Sequence, residues 1–528
     1  MGYKISRREV VFALLGGCCF YLFTSLATDS RRTSLPLRFN DTHFPATTGG
    51  YLTSQPAPLD LGLSYSLPQT EIIAHAPGWT LFRDLYMSKG ALVLLTNSSP
   101  SFPDIALMTS TGLPGNLTND AERMPTERDM AFVTPQEARA RWGGKLSRGE
   151  RNRILTLEGT TLLYNDPPQF LNHYFHFVAE LMFGTWALLF GAFDRTISPP
   201  STIPAASFTP PLLSTNTPTI TRAIFIHSDG SGWRDGPGFN GYAMRAVFPS
   251  ATVETSIDWV DRINATKTEM GRAWHFPLAL LVDRSAAFRN PMTGAHTQRT
   301  AAQAWMVMAK QGKIDLIGNW WASIRAALTR YAGGDSNESL DSELQMPDHV
   351  VITYINRQGT RRHLRGADNL ALVSAIQDLV DRKNRQGKKW EFQDVHAERL
   401  SLDEQIRVTS RTTIMLGVHG NGLTHLVLMK PNRLSAVIEI FIPGGFARDY
   451  EWTSRSLGMS HYSVWNDTTF TYPHEPPDPA YPDGFHGPSI PLHAPTVIKL
   501  IEDHVAAREN GPTRPNNSPV DDFYADDI

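Results

Sequence analysis

Three short segments carry side chains whose types and spacing could do chemistry. Gly417-Val418-His419-Gly420-Asn421-Gly422-Leu423-Thr424-His425 leaves an apolar run of strand character and enters a helical one. Glycines there permit a tight turn and let the backbone come close to a ligand. A helix N-terminus adds unpaired N–H groups and a partial positive charge. Such a turn can hold a diphosphate; the plain alternative is an ordinary glycine turn with two surface histidines. Asn356-Arg357-Gln358-Gly359-Thr360-Arg361-Arg362 also follows an apolar run. Arginine suits bidentate phosphate contact, and a sheet edge shared with the glycine turn favours that reading over a solvated basic loop. In Asn172-His173-Tyr174-Phe175-His176-Phe177-Val178-Ala179-Glu180, His176 and Glu180 are four apart and share a helical face. Titratable groups in an apolar helix are costly to bury without a partner or a purpose. The pair could supply a general base at an active-site wall, or be self-satisfied and hold two helices in register.

Weaker signals surround these. Glu439, in the run AVIEIF, could hydrogen-bond a ribose or pair with a neighbouring Arg or backbone group. Trp233-Arg234-Asp235 and Asp283-Arg284 follow apolar runs and could line an acceptor cleft. Metal ligation is not expected: no Asp-x-Asp is present to favour a diphosphate-bridging cation, and histidines 173, 176, 419, 425 and 461 lack compact ligand spacing. No G-x-S-x-G elbow supports a serine hydrolase. The two cysteines, Cys18 and Cys19, lie in an N-terminal apolar run, which excludes a disulfide framework or thiol nucleophile downstream.

The elements that must position these groups alternate. Strands are expected at 91–95, 154–164, 223–227, 278–282, 349–355, 390–395, 412–418 and 436–441. Helices are expected at 170–190, within 299–331, and at 368–385, 402–410, 423–429 and 497–508. Alternation of this kind predicts an α/β protein with parallel, doubly wound sheets. Residues 199–218 read as a Pro/Thr/Ser-rich insert and 472–495 as a Pro-rich stretch; no internal repeat is found. The expected organisation is a tail and anchor over 1–28, a stem over 29–65, a first domain over 66–340, a second over 345–508 and a disordered tail over 509–528.

Residues 10–27 are apolar or small throughout, just long enough to span a bilayer. Lys4, Arg7 and Arg8 precede the run, and the slight positive-inside bias favours a type II signal anchor. Ser25-Leu26-Ala27 would also serve as a signal-peptide cleavage site. Either way the body enters the secretory pathway, so a Golgi or endoplasmic reticulum protein with a lumenal body is expected. Seven sequons agree, at Asn40, Asn97, Asn116, Asn264, Asn337, Asn466 and Asn516. The 528 residues are 41% hydrophobic and 19% charged with a net charge of −3, which suits a folded protein and offers no basic surface for nucleic acid.

GVHGNGLTHLVLMKPNRLSAVIEIF, with YINRQGTRR before it and NHYFHFVAEL in the first half, resembles the signature blocks of glycosyltransferase family 61 in a eukaryotic, fungal-like form. LLVDRSAAFR and WRDGPGFN lie between, and the resemblance covers about residues 160–465. It implies an inverting enzyme of GT-B type, with two Rossmann-like domains facing a cleft and neither metal nor cofactor beyond the co-substrate. Arg357, Arg361, the loop His419, Gly420, Asn421, Gly422, Leu423 and Thr424, and Glu439 would hold the diphosphate and ribose of a nucleotide sugar. His176 and Glu180 would be catalytic, the choice of base between them open, with His173, Asp235 and Asp283 on the acceptor side. A xylose- or N-acetylglucosamine-type sugar from a UDP-sugar and a glycan or glycoprotein acceptor are expected. A non-catalytic carbohydrate-binding relative is the first alternative, and a hydrolase using a carboxylate pair the second.

Overall fold

A computed structural model describes residue 63 and residues 65–509, apart from 117, 194–216, 291–296, 337 and 339–342. The expected anchor at 10–27, almost all of the stem, the two cysteines, Asn40, Asn337, Asn516, most of the 199–218 insert and the tail beyond 509 lie outside the described residues. Among the described residues, fifteen strands form two sheets. The first holds β1 (Glu71–Ala76), β2 (Trp79–Ser88), β3 (Ala91–Leu95), β4 (Met130–Val133), β5 (Ile154–Thr156), β6 (Thr160–Tyr164), β7 (Ile220–Phe225), β8 (Thr252–Glu254) and β9 (Ala273–Val282). The second holds β10 (Val350–Ile355), β11 (Trp390–Val395), β12 (Ile414–Val418), β13 (Ala436–Phe441), β14 (Ser460–Trp465) and β15 (Thr468–Phe470).

The first sheet runs β4-β3-β2-β9-β6-β7-β8. Only part of it matches the parallel expectation. β9, β6, β7 and β8 are parallel, but β2 runs antiparallel to both β9 and β3. The cause is local: Lys89 and Gly90, joining β2 to β3, both have positive φ, at 56° and 96°. That is the signature of a two-residue hairpin turn, which forces antiparallel pairing. β1 and β2 also precede the first strand expected from the sequence. In β2 the polar Thr80, Arg83 and Asp84 interrupt the apolar pattern, yet its backbone pairs with β9 from Trp79 to Met87.

The parallel quartet has the chain order of half a dinucleotide-binding fold, with its reversal point between β6 and β9. The second sheet runs β11-β10-β12-β13-β14, all parallel, closed by antiparallel β15; its reversal point lies between β10 and β12. β10, β12 and β13 are buried along their whole length, as expected of strands covered on both faces. Open α/β sheets bind ligands outside the carboxyl ends of strands at such points. The loops there hold Asn165–Asp166 and Asp283–Arg284 in the first sheet, and Arg357 and His419 in the second.

One apolar core joins the two halves, passing from Leu162 and Leu280 through Phe177–Phe190 and Trp305–Leu328 to Met415, Leu426 and Val437. A second core lies on the other face of the second sheet, beneath the helices Gly366–Arg385 and Ala494–Glu509. The expected single helix over 170–190 is broken. A turn at Pro168–Leu171 precedes a π-helical stretch, Phe175–Met182, which continues as the α-helix Phe183–Phe193. Phe175–Phe193 is long and apolar enough to cross a membrane, but it is buried inside the protein. Trp79 donates from its indole N–H to the Leu181 carbonyl at 3.3 Å, and a Cβ on Gly184 would sit 2.4 Å from the Trp79 ring. Gly184→Ala therefore sets a helix-propensity gain of about 1 kcal/mol against an overpacking cost of about 1–3 kcal/mol. Net destabilisation is the expected outcome, and a raised urea midpoint would contradict the packing described.

Candidate active site where the two sheet edges meet

The π-helical stretch places His176 and Glu180 beside the carboxyl ends of β6 and β9. Its Phe183 N–H reaches back to the Val178 carbonyl, five residues earlier; π-helical turns recur at functional sites. His176 Nδ1 lies 2.5 Å from Glu180 Oε2, and Arg284 Nε donates to the same oxygen at 2.8 Å. Arg284 is held in turn by its backbone N–H, which donates to both Asp166 carboxylate oxygens at 3.1 and 3.2 Å, and its guanidinium lies 4.4 Å from the centre of the Phe170 ring. Glu180 is 3% exposed, and burial by itself would push its carboxyl up; the charges of Arg284 and His176 outweigh burial and hold it down to about 2. An ionised Glu180 accepts from the His176 Nδ1–H. That leaves the Nε2 lone pair without a partner among the described residues, on a ring that is 26% exposed.

This arrangement separates the two candidate bases. A carboxylate held near 2 by a buried guanidinium is a weak proton acceptor, whereas an imidazole in a fixed tautomer is a competent one. In this geometry Glu180 fixes the imidazole tautomer, and His176 Nε2 is the atom left with an open lone pair. The sign of the linkage follows. A folded-state pKa depressed from 4.5 to about 2 contributes stability that is complete above 4.5 and lost as pH falls towards 2. The stability gap between the wild type and Glu180→Gln should be widest above pH 4.5 and narrow on acidification. A gap that widens on acidification would contradict it.

The second reversal point brings the other two motifs into contact. Arg357 Nη1 donates to the His419 carbonyl at 3.0 Å and its Nε to Thr360 Oγ1 at 3.3 Å. Gly420 has φ 144°, and a Cβ there would lie 1.8 Å from Arg357 Nη1. Only glycine suits that backbone, and only glycine leaves room for the guanidinium. Arg362 has buried Nε and Nη1 atoms without a hydrogen-bond partner among the described residues. Burial depresses both guanidinium groups; the charge of Arg362 adds to the effect on Arg357, and that of Arg361 to the effect on Arg362. Neither has a carboxylate within ion-pair distance among the described residues. Two half-buried guanidinium groups, with exposed Arg361 beside them, form a cradle in which an anion would supply the missing charge. The Pro-rich stretch borders it: the Phe485 ring lies 5.2 Å from His419 and 5.8 Å from the Arg362 guanidinium.

Several residues stand elsewhere than the sequence suggested. Residues Asn421–Leu428 form the helix expected there, of 3₁₀ type and starting two residues earlier, with Leu423 and Thr424 fully buried. Asn421 Oδ1 accepts from the Phe175 backbone N–H at 3.2 Å, so this side chain ties the glycine turn to the π-helical stretch. His425 is buried between Tyr174 and Gln405 rather than on the surface. Glu439 is fully buried with one oxygen 2.5 Å from His419 Nδ1 and the other 2.9 Å from His461 Nε2, so it presents nothing to a ribose. Asp283 is also fully buried, accepting from Ala286 N–H and Asn165 Nδ2; it caps the helix Arg284–Phe288 instead of lining a cleft. Asp235 accepts from the Asn240 N–H at 2.8 Å beside the start of the helix Phe239–Val247. His173 is exposed, its ring 4.8 Å from His176. Asn97, Asn116 and Asn264 are exposed, Asn264 on a helix rather than a loop, and Asn466 is half-buried at the β14–β15 turn.

Asp449 was not expected from the sequence. It is the first residue of the helix Asp449–Ser456, and the next residue, Tyr450, touches Phe175 at 5.1 Å and His419 at 5.7 Å between ring centres. Burial, then the Glu180 charge, raises the Asp449 carboxyl to about 6. Its side chain has no hydrogen-bond partner among the described residues. The one sequence signal was an acidic residue opening a helix soon after a strand, which caps many helices of no catalytic importance.

Two parallel-rich sheets, whose reversal points bring an arginine cradle near a His–carboxylate pair, define an α/β protein with a candidate anion-binding site beside a candidate proton acceptor. The glycosyltransferase 61 family model matches residues 174–438, just over half of the chain, and this protein belongs to that family. It is similar to an EGF domain-specific O-linked N-acetylglucosamine transferase of Drosophila melanogaster, 28% identical over 144 residues. That stretch covers 26% of this chain and 25% of the relative, so about a quarter of the relative's length is spanned.

Proposed function

We propose that this protein is an inverting glycosyltransferase of GT-B type that moves a sugar from a nucleotide sugar to a hydroxyl of a glycan or glycoprotein. The observation that carries the reading is the pair of uncompensated guanidinium groups over the Gly420 turn, close to a His–carboxylate dyad. Arg357 and Arg362, with Arg361, would neutralise the donor diphosphate, and Gly420 and Gly422 would let it approach the backbone. His176 Nε2 would take the acceptor proton while Glu180, pinned by Arg284, keeps the imidazole in the required tautomer. The acceptor oxygen then attacks the anomeric carbon, and the nucleotide leaves from the opposite face.

A UDP-sugar is the proposed donor. Of the xylose and N-acetylglucosamine types, the name of the Drosophila relative gives the second additional support. Metal independence is part of the proposal, since arginines can take the charge role otherwise filled by a cation. So is a lumenal body in the Golgi or endoplasmic reticulum, anchored through residues 10–27 as a single-pass type II protein. The test is thermal shift of the protein against uridine, guanosine and cytidine nucleotides and their sugars, with EDTA and with Mn²⁺. A ligand at about 100 times its Kd stabilises by roughly 2.7 kcal/mol. A shift with a uridine nucleotide that survives EDTA is expected. A folded protein that shifts with no nucleotide would not be this enzyme.

A further inference from the structure

The molecule holds a second His–carboxyl pair, on the donor side, without the arginine that pins the first. His419 Nδ1 meets Glu439 Oε1 at 2.5 Å, and Glu439 Oε2 meets His461 Nε2 at 2.9 Å. Glu439 and His461 are buried to 0% and 1% side-chain exposure. His461 Nδ1 is buried with no hydrogen-bond partner among the described residues. The His419 ring is 12% exposed, at the border of the arginine cradle, and its Nε2 has no partner among the described residues. A carboxyl group buried between two imidazoles, with no arginine or lysine in ion-pair contact among the described residues, is an unusual way to support a glycine turn. Two uncharged side chains would do that without the desolvation cost.

We propose that His419 donates a proton to the departing diphosphate, with Glu439 and His461 behind it as its support, so that binding of the donor nucleotide is coupled to proton uptake. The inference rests on the glycosyltransferase reading above. In the transfer step the acceptor oxygen bonds to the anomeric carbon, and the bond from that carbon to the phosphate oxygen breaks with its electron pair on that oxygen. The acceptor proton passes to His176 Nε2, and the proton on His419 Nε2 goes to the phosphate oxygen. His176 then loses its proton to water, and His419 regains one when the next donor binds.

The charges around His419 explain why the uptake waits for the ligand. Arg357 and Arg362 face it from the loop after β10, His486 from the Pro-rich stretch, His461 from β14, Glu439 from β13, and Asp449 and Tyr450 from the helix beyond β13. Burial, then the two guanidinium charges, hold the free imidazole neutral, well below its ordinary range. A bound diphosphate cancels those charges and adds negative ones beside Nε2. The protonated state of His419 is thereby favoured. Burial, then the charges of Asp449 and Glu451, push the Glu439 carboxyl well above its ordinary range. Glu439 therefore supports the ring through its hydrogen bond at Nδ1, and the diphosphate supplies the charge that stabilises the imidazolium.

Calorimetric titration of uridine diphosphate, and separately of inorganic pyrophosphate, into the full-length protein in buffers of different ionisation enthalpy reads this directly. Uptake approaching roughly one proton per ligand at neutral pH is expected in the wild type. His419→Gln should still bind, more weakly, and lose that uptake; His461→Gln should reduce it. The wild-type arm needs no variant, so binding without uptake overturns this inference alone. Unchanged uptake in a folded His419→Gln protein does the same. No heat with either ligand would instead remove the nucleotide site itself, and this inference with it.

Discussion

His176→Ala should bind a uridine nucleotide about as well as the wild type and turn over on the order of 10²–10⁴ times more slowly. The separation of the two effects follows from position. His176 stands on the first-half side, in contact with Glu180 and adjacent to His173, while the groups without counter-charges that would hold a diphosphate come from the loop after β10. Glu180→Gln should be nearly as damaging, for a different reason. An amide in that place can turn its NH₂ towards Nδ1, which would then accept and move the ring proton to Nε2, where no lone pair remains for the acceptor hydroxyl. Loss of the orienting carboxylate in a comparable dyad costs about 10⁴ in kcat. Steady-state kinetics with a binding measurement on each variant distinguish the candidates. If His176→Ala keeps most of its turnover while Glu180→Gln is dead, Glu180 is the base and the assignment made here is reversed.

Arg362→Ala should lose both nucleotide affinity and turnover, the latter by on the order of 10²–10³-fold. Its Nε and Nη1 are already removed from water without a partner, so the cost of desolvation is met in the free protein and need not be met again on binding. The negative charge on the diphosphate grows as the sugar leaves, so a fixed guanidinium interacts more strongly with the transition state than with the bound donor. Arg357→Ala should lose a similar factor and also release the His419 carbonyl that its Nη1 holds at 3.0 Å. Arg361 is exposed, and its substitution should cost less than either. Because two neighbouring like charges repel, Arg362→Ala is also expected to leave the unliganded protein at least as stable as the wild type. A large fall in its melting temperature, with nucleotide affinity unchanged, would make Arg362 a structural group and leave the cradle without its main support.

Much of the second half could be read from local pattern. HVVITYI, TTIMLGV and AVIEIF are continuous apolar runs bounded by turn residues, and they lie in β10, β12 and β13. That reading also put the arginine and glycine motifs on one sheet edge; the structure makes their strands neighbours, and Arg357 meets His419 there. The first half was less legible. β2 mixes buried apolar residues with Thr80, Arg83 and Asp84, and its antiparallel direction is imposed by the two positive-φ residues after it. The helix over 170–190 was visible as a long apolar segment, but its π-helical opening was not. That opening is set by tertiary contacts such as Trp79 to the Leu181 carbonyl and Asn421 to the Phe175 N–H.

By itself the sequence determined the alternation of strands and helices, the turn chemistry at Gly420 and the residue types that could meet a diphosphate or a proton. These depend on neighbours within a few positions, whose periodicity and backbone preferences are written locally. Only the tertiary structure decided what each titratable group does. Glu180 becomes an orienting carboxylate because Arg284, 104 residues away, lands 2.8 Å from it. Glu439 serves two histidines instead of a ribose, Asp283 caps a helix, and Asp449 emerges beside the dyad. The charge state of a side chain depends on burial and on charges within a few ångströms, and in this chain those charges come from segments far apart in sequence.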